Sequence, residues 1–249
     1  MNYSSSGVKL AFKRESLKKL EVQEILSSIG PLGPDPSSKY FARRTKNIAY
    51  VMNLEGQWFQ LHADYLIQSH QYNDFSGGYR RSYQEMPSTF LQSPATQKVL
   101  TQFQQAFDIP PKEPVLVQVQ RSHINRHNVD RCLTGQGIHS DGANQAMLLC
   151  LERHNINGAK NAIYHDLKGD FTLMRPFVLN EGEVLFWQDN KVFHHVSTAQ
   201  LMNPNANGQR TVMIAHYPAT QYLSGRVNPR NLLGAKRVAK EKRLRLQQS

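Results

Sequence analysis

In this chain of 249 residues, the run Gly137-Ile138-His139-Ser140-Asp141-Gly142 places a histidine and an aspartate two positions apart. On a β-strand, residues two apart point to the same face, where an imidazole and a carboxylate can hold one metal ion together. A second imidazole from a distant strand completes the two-histidine, one-carboxylate triad of non-haem Fe(II) oxygenases, which leaves one side of the ion open for a cosubstrate and O2. The segment Val192-Phe193-His194-His195-Val196-Ser197 holds the candidates for that imidazole. Val192, His194 and Val196 share one strand face, and a valine-flanked histidine suits a barrel interior, so His194 is the expected ligand and His195 points outward or into a neighbouring layer.

Arg210 lies on a strand candidate with Val212, Ile214 and His216 on its own face. A guanidinium turned inward among aliphatic side chains is costly unless it meets a carboxylate. Its bidentate fork suits the distal carboxylate of 2-oxoglutarate, whose 2-oxo acid end can chelate iron. A structural partner such as Glu183 or Asp189 is the alternative. An isolated H-x-D carries little information, and the chain has a second, His62-Ala63-Asp64, in a context that reads as structural. The ordered set of H-x-D, then His, then Arg on successive strand candidates is far more specific than any member. The remaining histidines share no spacing, although His123 and His165 come near the site if their strands flank it. No G-x-S-x-G elbow, P-loop, dinucleotide glycine pattern or zinc-cluster spacing is present.

The elements that must position these groups fall into two styles. Val8 to Ile29 carries apolar residues at helical spacing, and Ser93 to Phe107 is a helix with Ser93 as cap and Pro94 in its first turn. Ala49 to Met52 reads as a short strand, while Gln57 to Gln68 is ambiguous. From Val115 to Gln120 onward the chain is β-rich, with strands expected over Ile138 to Asp141, Ala146 to Leu151, Ala162 to His165, Phe171 to Met174, Val184 to Trp187, Val192 to Thr198 and Thr211 to Tyr217. Short strands at regular spacing with turns between them argue for a sandwich or jelly roll, and helices gathered at the front make the class α+β.

The formal net charge is +11. It divides into +7 over Arg226 to Ser249, +5 over Met1 to Tyr50 and −1 between them, so the basicity lies at the two ends and not around the metal candidates. Charge runs are usually solvated faces, which argues against nucleic acid as the partner while leaving it as an alternative. No apolar run is long enough to cross a membrane and no signal peptide is expected. Cys132 and Cys150 have neither metal-ligand spacing nor the look of a disulfide framework, so a reducing cytoplasm is the expected location.

Several of these segments resemble a known family. Gly137 to Gly142, Leu148 to Gly158 (LLCLERHNING), Ala162-Ile163-Tyr164 and Phe193 to Ser197 are similar to the bacterial 2-oxoglutarate/Fe(II) dioxygenases that include L-isoleucine hydroxylase. The resemblance runs from about Ala49 to Pro218 and is closest between Gly137 and Tyr217. It implies a double-stranded β-helix (jelly roll), iron held by His139, Asp141 and His194, and 2-oxoglutarate held by Arg210. Iron, 2-oxoglutarate and O2 are then the cofactors, and the substrate is a free L-amino acid, hydroxylated on an aliphatic carbon or, for methionine, oxidised at sulfur. Gly158-Ala159 and His165 depart from the family pattern around the Ile-Tyr pair, and His195 replaces a glycine; these changes bear on substrate identity. The organisation expected is one domain over residues 1–225, with residues 1–113 helical and residues 114–225 a jelly-roll core, followed by a basic tail over residues 226–249. For the substrate's carboxylate the candidates are Arg80, Arg81 and Arg121, with Tyr79 and Trp187 as pocket walls. The rivals are a dioxygenase of a macromolecule docked by the basic ends and a jelly-roll binding protein without turnover.

Overall fold

Strand alternation sorts the β-rich half into two faces. Val115, Val117 and Val119 join Met147, Leu149, Val184, Phe186, Met213 and Ala215 in one apolar cluster, which also contains helical Val22, Ile25, Phe90, Val99, Leu100 and Phe103. The intervening residues Gln118, Gln120, Leu148, Leu185, Val212 and Ile214 line a cavity on the opposite face. Helices therefore cover one side of a sheet whose other side forms the site. The computed structural model describes residues 13–38, 43–74, 76–128, 133–134 and 136–222; Cys132 and the basic tail lie outside them.

In chain order the elements are β1 (Lys13–Ser16), α1 (Lys19–Ser28), β2 (Arg44–Leu54), β3 (Gln57–Leu61), β4 (Tyr65–Leu66), β5 (Arg81–Ser82), β6 (Gln84–Glu85), α2 (Ser88–Gln92) and α3 (Pro94–Ala106). Then follow β7 (Pro114–Ile124), β8 (Gln145–His154), β9 (Ile156–Gly158), β10 (Lys160–Tyr164), β11 (Thr172–Val178), β12 (Glu183–Trp187), β13 (Phe193–Val196), β14 (Ala199–Leu201) and β15 (Gly208–Tyr217). The main sheet has the order β1-β12-β8-β15-β7-β2-β3, with β6 beside β2, and faces a three-stranded sheet β11-β10-β13. This is a jelly-roll β-sandwich, the double-stranded β-helix expected from the sequence. No helix of the described residues is long and apolar enough to cross a membrane.

The helix expected over Val8 to Ile29 is corrected where it is described: residues 8–12 lie outside the described residues, Lys13–Ser16 pairs antiparallel with β12 (Lys13 opposite Phe186), and the helix begins only at Lys19. An edge pairing with a strand some 170 residues away leaves no periodic trace in the local sequence. Helix α3 begins where its sequence says, with Ser93 Oγ accepting from Thr96 N at 3.2 Å and Pro94 in the first turn. The first 113 residues hold the helices and also β2, which pairs with β7 from Arg44 opposite Ser122 to Met52 opposite Pro114 and carries Arg44 and Lys46 to the cavity.

Candidate metal centre

His139, Asp141 and His194 each offer a ligand atom within 4.8 Å of the others. The strand expected over Ile138 to Asp141 is not what aligns them. His139 forms a single antiparallel bridge to His194, with His139 N donating to His194 O (3.0 Å) and His194 N donating to His139 O (2.8 Å). The chain then leaves the bridge and is caught by Asp189, whose Oδ2 accepts from Asp141 N at 2.9 Å and Ala143 N at 3.1 Å. Between those amides Gly142 has φ +83°, and a Cβ there would meet the Tyr72 ring at 2.5 Å. A side chain at this position is excluded by both backbone and neighbour. His194 extends from β13, opposite Ile163 of β10.

The ring nitrogens are assigned by their other contacts. His139 Nδ1 donates to Gly137 O at 2.9 Å, so Nε2 keeps its lone pair, 3.8 Å from Asp141 Oδ1. Burial, with the His194 ring beside it, lowers the pKa of His139 and keeps it neutral, as a ligand must be. His194 Nε2 lies 3.5 Å from Asp141 Oδ2, and its Nδ1 makes a long 3.4 Å charge contact with Asp189 Oδ1. Burial alone would lower the pKa of His194, but Asp189 and Asp141 outweigh it and raise it. Burial likewise opposes ionisation of Asp141, but His216 and the two ligand imidazoles hold its carboxyl well below the usual carboxylate range.

His216 is a participant that the sequence left among the structural histidines. Lys46 Nζ donates to Gln118 Oε1 at 2.9 Å, which turns Gln118 Nε2 toward His216 Nδ1 at 3.2 Å. His216 Nε2–H then donates to Asp141 Oδ2 at 3.0 Å. One carboxylate oxygen is thus held by protein and the other, Oδ1, is left for an ion. Gln68 Nε2 and Tyr222 OH also donate to Asp141 O, at 2.9 and 3.2 Å. Asp189 is placed under His194, not beside Arg210 as the structural alternative had it, and Glu183 pairs with Arg14.

Arg210 is 5% exposed and lines the same cavity, on one face of β15 with Val212, Ile214 and His216. Its Nε and Nη2 are buried without a hydrogen-bond partner. Burial and nearby Arg153 press its pKa down, opposed by the Cys150 thiol. A buried guanidinium with two orphaned nitrogens, in the lining of a cavity that also holds a His-Asp-His cluster, fits a chelating diacid beside a divalent ion.

The other substrate candidates are dispersed. Arg81 (4% exposed) and Trp187 line the cavity. Trp187 Nε1 donates to Asp189 Oδ1 at 3.1 Å, and its ring sits 5.3 Å from that of His194. Arg80 points to the surface, against Asp64 and over the Tyr65 ring, and Tyr79 is exposed. Arg121 donates to Thr211 Oγ1 and pairs with Glu152, away from the cavity lining. His123 contacts Thr45 Oγ1, and His165 is held through its backbone by Phe171; neither lines the cavity. The second H-x-D is split, with His62 against Glu85 and Asp64 against Arg80.

Asp189→Asn is expected to weaken Co(II) binding about 10–100-fold at pH 8, since Asp189 orients both an imidazole and the aspartate backbone. In the metal-free protein a raised His194 pKa means that metal must displace a proton, so wild-type affinity rises with pH and levels off above that pKa. The variant loses the anion that raises it, so its plateau begins at lower pH. Titrations of Co(II) absorbance from pH 6 to 8.5 measure both effects; an unchanged affinity and profile would remove Asp189 from the site.

The family model described as 2OG-Fe dioxygenase matches residues 27–216. Among solved structures, a bsmA homologue from Methylobium petroleophilum superposes with a TM-score of 0.64 at 18% identity, over 82% of this chain and 81% of that one. IDO from Bacillus thuringiensis gives 0.59 at 11% identity, over 82% and 91%. The Fe(II)/(alpha)ketoglutarate-dependent dioxygenase TqaL gives 0.58 at 12%, over 80% and 74%. At these identities the likeness is one of fold. Comparison with curated proteins finds no match.

Proposed function

Since the chain belongs to the 2OG-Fe dioxygenase family and shares its cofactors Fe(II), 2-oxoglutarate and O2, we propose that it is a cytoplasmic enzyme hydroxylating a free L-amino acid, on an aliphatic carbon or at the sulfur of methionine. The observation that carries the dioxygenase reading is the shared cavity of His139, Asp141, His194 and Arg210, in which the guanidinium has two buried nitrogens unmet. The small-molecule reading is supported by burial: Arg81, His139 and Arg210 are each less than a tenth exposed, so a ligand must enter the cavity to touch them. The choice of a free amino acid is supported by the family resemblance of the sequence.

In this reading Nε2 of His139, Asp141 and Nε2 of His194 would hold the iron, and Arg210 would clasp the distal carboxylate of 2-oxoglutarate. Bound together, iron, 2-oxoglutarate and O2 supply the oxidising chemistry, in which one oxygen atom enters the substrate while 2-oxoglutarate becomes succinate and CO2. The chain's own contribution is positional. His216 fixes the Asp141 carboxylate, Asp189 fixes the His194 ring, and Leu148, Leu185, Val212 and Ile214 line the cavity with aliphatic groups that exclude water.

The test is succinate release with Fe(II), 2-oxoglutarate and ascorbate across the twenty L-amino acids, with products read by mass. The expected result is one amino acid, or a small aliphatic group of them, that raises succinate and gains about 16 mass units on the addition of one oxygen. Succinate no higher than a His139→Ala background with all twenty would remove the amino-acid reading.

A further inference from the structure

A second cationic place lies in the same cavity. Arg44 and Lys46 sit two apart on β2, and Arg81 on β5; all three are less than a tenth exposed and line the cavity. Arg44 and Lys46 share the carboxylate of Asp35, which bonds Arg44 Nε and lies 3.9 Å from Lys46 Nζ. Arg81 meets only neutral oxygens among the described residues: Ser76 Oγ at 2.8 Å, Gln68 Oε1 at 3.3 Å and Ser37 Oγ at 3.5 Å. Its Nε is buried with no partner. Arginine keeps its charge, so among the described residues this buried cation is left without an anion. Lys46 responds as an under-neutralised amine does: burial, with Arg44 and Arg81 beside it, brings its pKa down to about 7 against the pull of Asp35 and Asp141.

This place is distinct from Arg210. Strand β7 separates them: Lys46 of β2 lies opposite Gln120, whose partner on β15 is Val212, while Arg210 is two residues further along β15, opposite Ser122. A diacid clasped by Arg210, with its other end at the triad, leaves Arg81 without a carboxylate and Lys46 with only the distant Asp35, at 3.9 Å. Gln68 joins the second place to the metal candidates, accepting from Arg81 Nη2 and donating to Asp141 O. We propose that Arg81 and Lys46 form a carboxylate subsite for the molecule that is oxidised, which makes that molecule a small carboxylic acid. The assignment of this anion to the substrate rests on the dioxygenase reading; the existence of the subsite does not.

The probe is acetate, the carboxylate group with a single methyl, added to the full-length protein at saturating 2-oxoglutarate and compared with chloride at equal ionic strength. Acetate is expected to raise the thermal unfolding midpoint saturably. Arg81→Gln and Lys46→Gln each remove the effect and the surface variant His62→Ala keeps it; if Arg81→Gln does not fold, Lys46→Gln carries the test. No saturable shift in wild type, a shift that survives in the folded variants, or saturation by phosphate and not by acetate overturns the proposal. With an amino acid turned over in the screen, Arg81→Gln is expected to raise its KM about 30-fold, the scale of a charge-assisted contact, while KM for 2-oxoglutarate stays within about threefold. An equal rise in both constants overturns the assignment to the substrate. Acetate binding without turnover of any amino acid would retire the amino-acid reading and leave the subsite standing.

Discussion

Asp141→Ala is expected to lower 2-oxoglutarate-dependent succinate formation by more than about 1,000-fold, well beyond the 10–100-fold typical of residues that merely orient a metal ligand. The side chain is the one place where the site's contacts converge, within 4 Å of His139, His194 and His216. Its removal takes a ligand from the cluster and leaves two buried imidazoles facing each other across 4.3 Å between ring centres without the anion between them. Asp141→Glu keeps the charge but adds a methylene to a carboxylate whose Oδ2 is already pinned by His216, so it too should lose most activity. The control is His62→Ala in the other H-x-D, whose side chain is 82% exposed; turnover there should stay within about twofold, as for most surface substitutions. Succinate release and Co(II) titration on folded variants decide it. Activity of Asp141→Ala within tenfold of wild type would end the proposed role of this cluster.

What the sequence carried was face, and what it withheld was partner. The alternation of Arg210, Val212, Ile214 and His216 identified one face of β15, and that face is the cavity wall. The choice of His194 over His195 rested on the same period, and His194 is the one grouped with His139 and Asp141. The H-x-D segment was read as a strand because strand geometry brings residues two apart together. Here a two-residue bridge and the carboxylate of Asp189 achieve that approach instead. Nothing local to Gly137–Gly142 could indicate a clamp 48 residues downstream. Gln118 and Gln120 show the complementary difficulty: a polar face on an alternating strand has the same pattern whether it meets solvent or a polar cavity. Lys46 was hidden, and Arg81 stood undistinguished among three arginine candidates, because an isolated basic residue is normally exposed and only the fold shows that these two are not.

Arg210→Met separates what a residue does for binding from what it does for folding, because the two effects should have opposite signs. In the cosubstrate-free protein the guanidinium is buried with Nε and Nη2 unmet, a cost that a thioether of similar length does not incur. Replacing even a paired set of buried charges by apolar side chains is often neutral or stabilising by about 1–4 kcal/mol, and an unpaired charge has less attraction to lose, so the free variant should unfold at the same or a higher temperature than wild type. The same substitution removes the bidentate partner proposed for the distal carboxylate, so KM for 2-oxoglutarate should rise about 100-fold or more. Wild type should gain stability as 2-oxoglutarate is added and the variant should not, so that their melting curves converge or cross with rising cosubstrate. Arg210→Lys keeps the charge but loses the planar fork, and should fall between the two in KM. A variant that melts well below wild type while its KM for 2-oxoglutarate is unchanged would make Arg210 a structural residue and leave the cosubstrate without its proposed anchor.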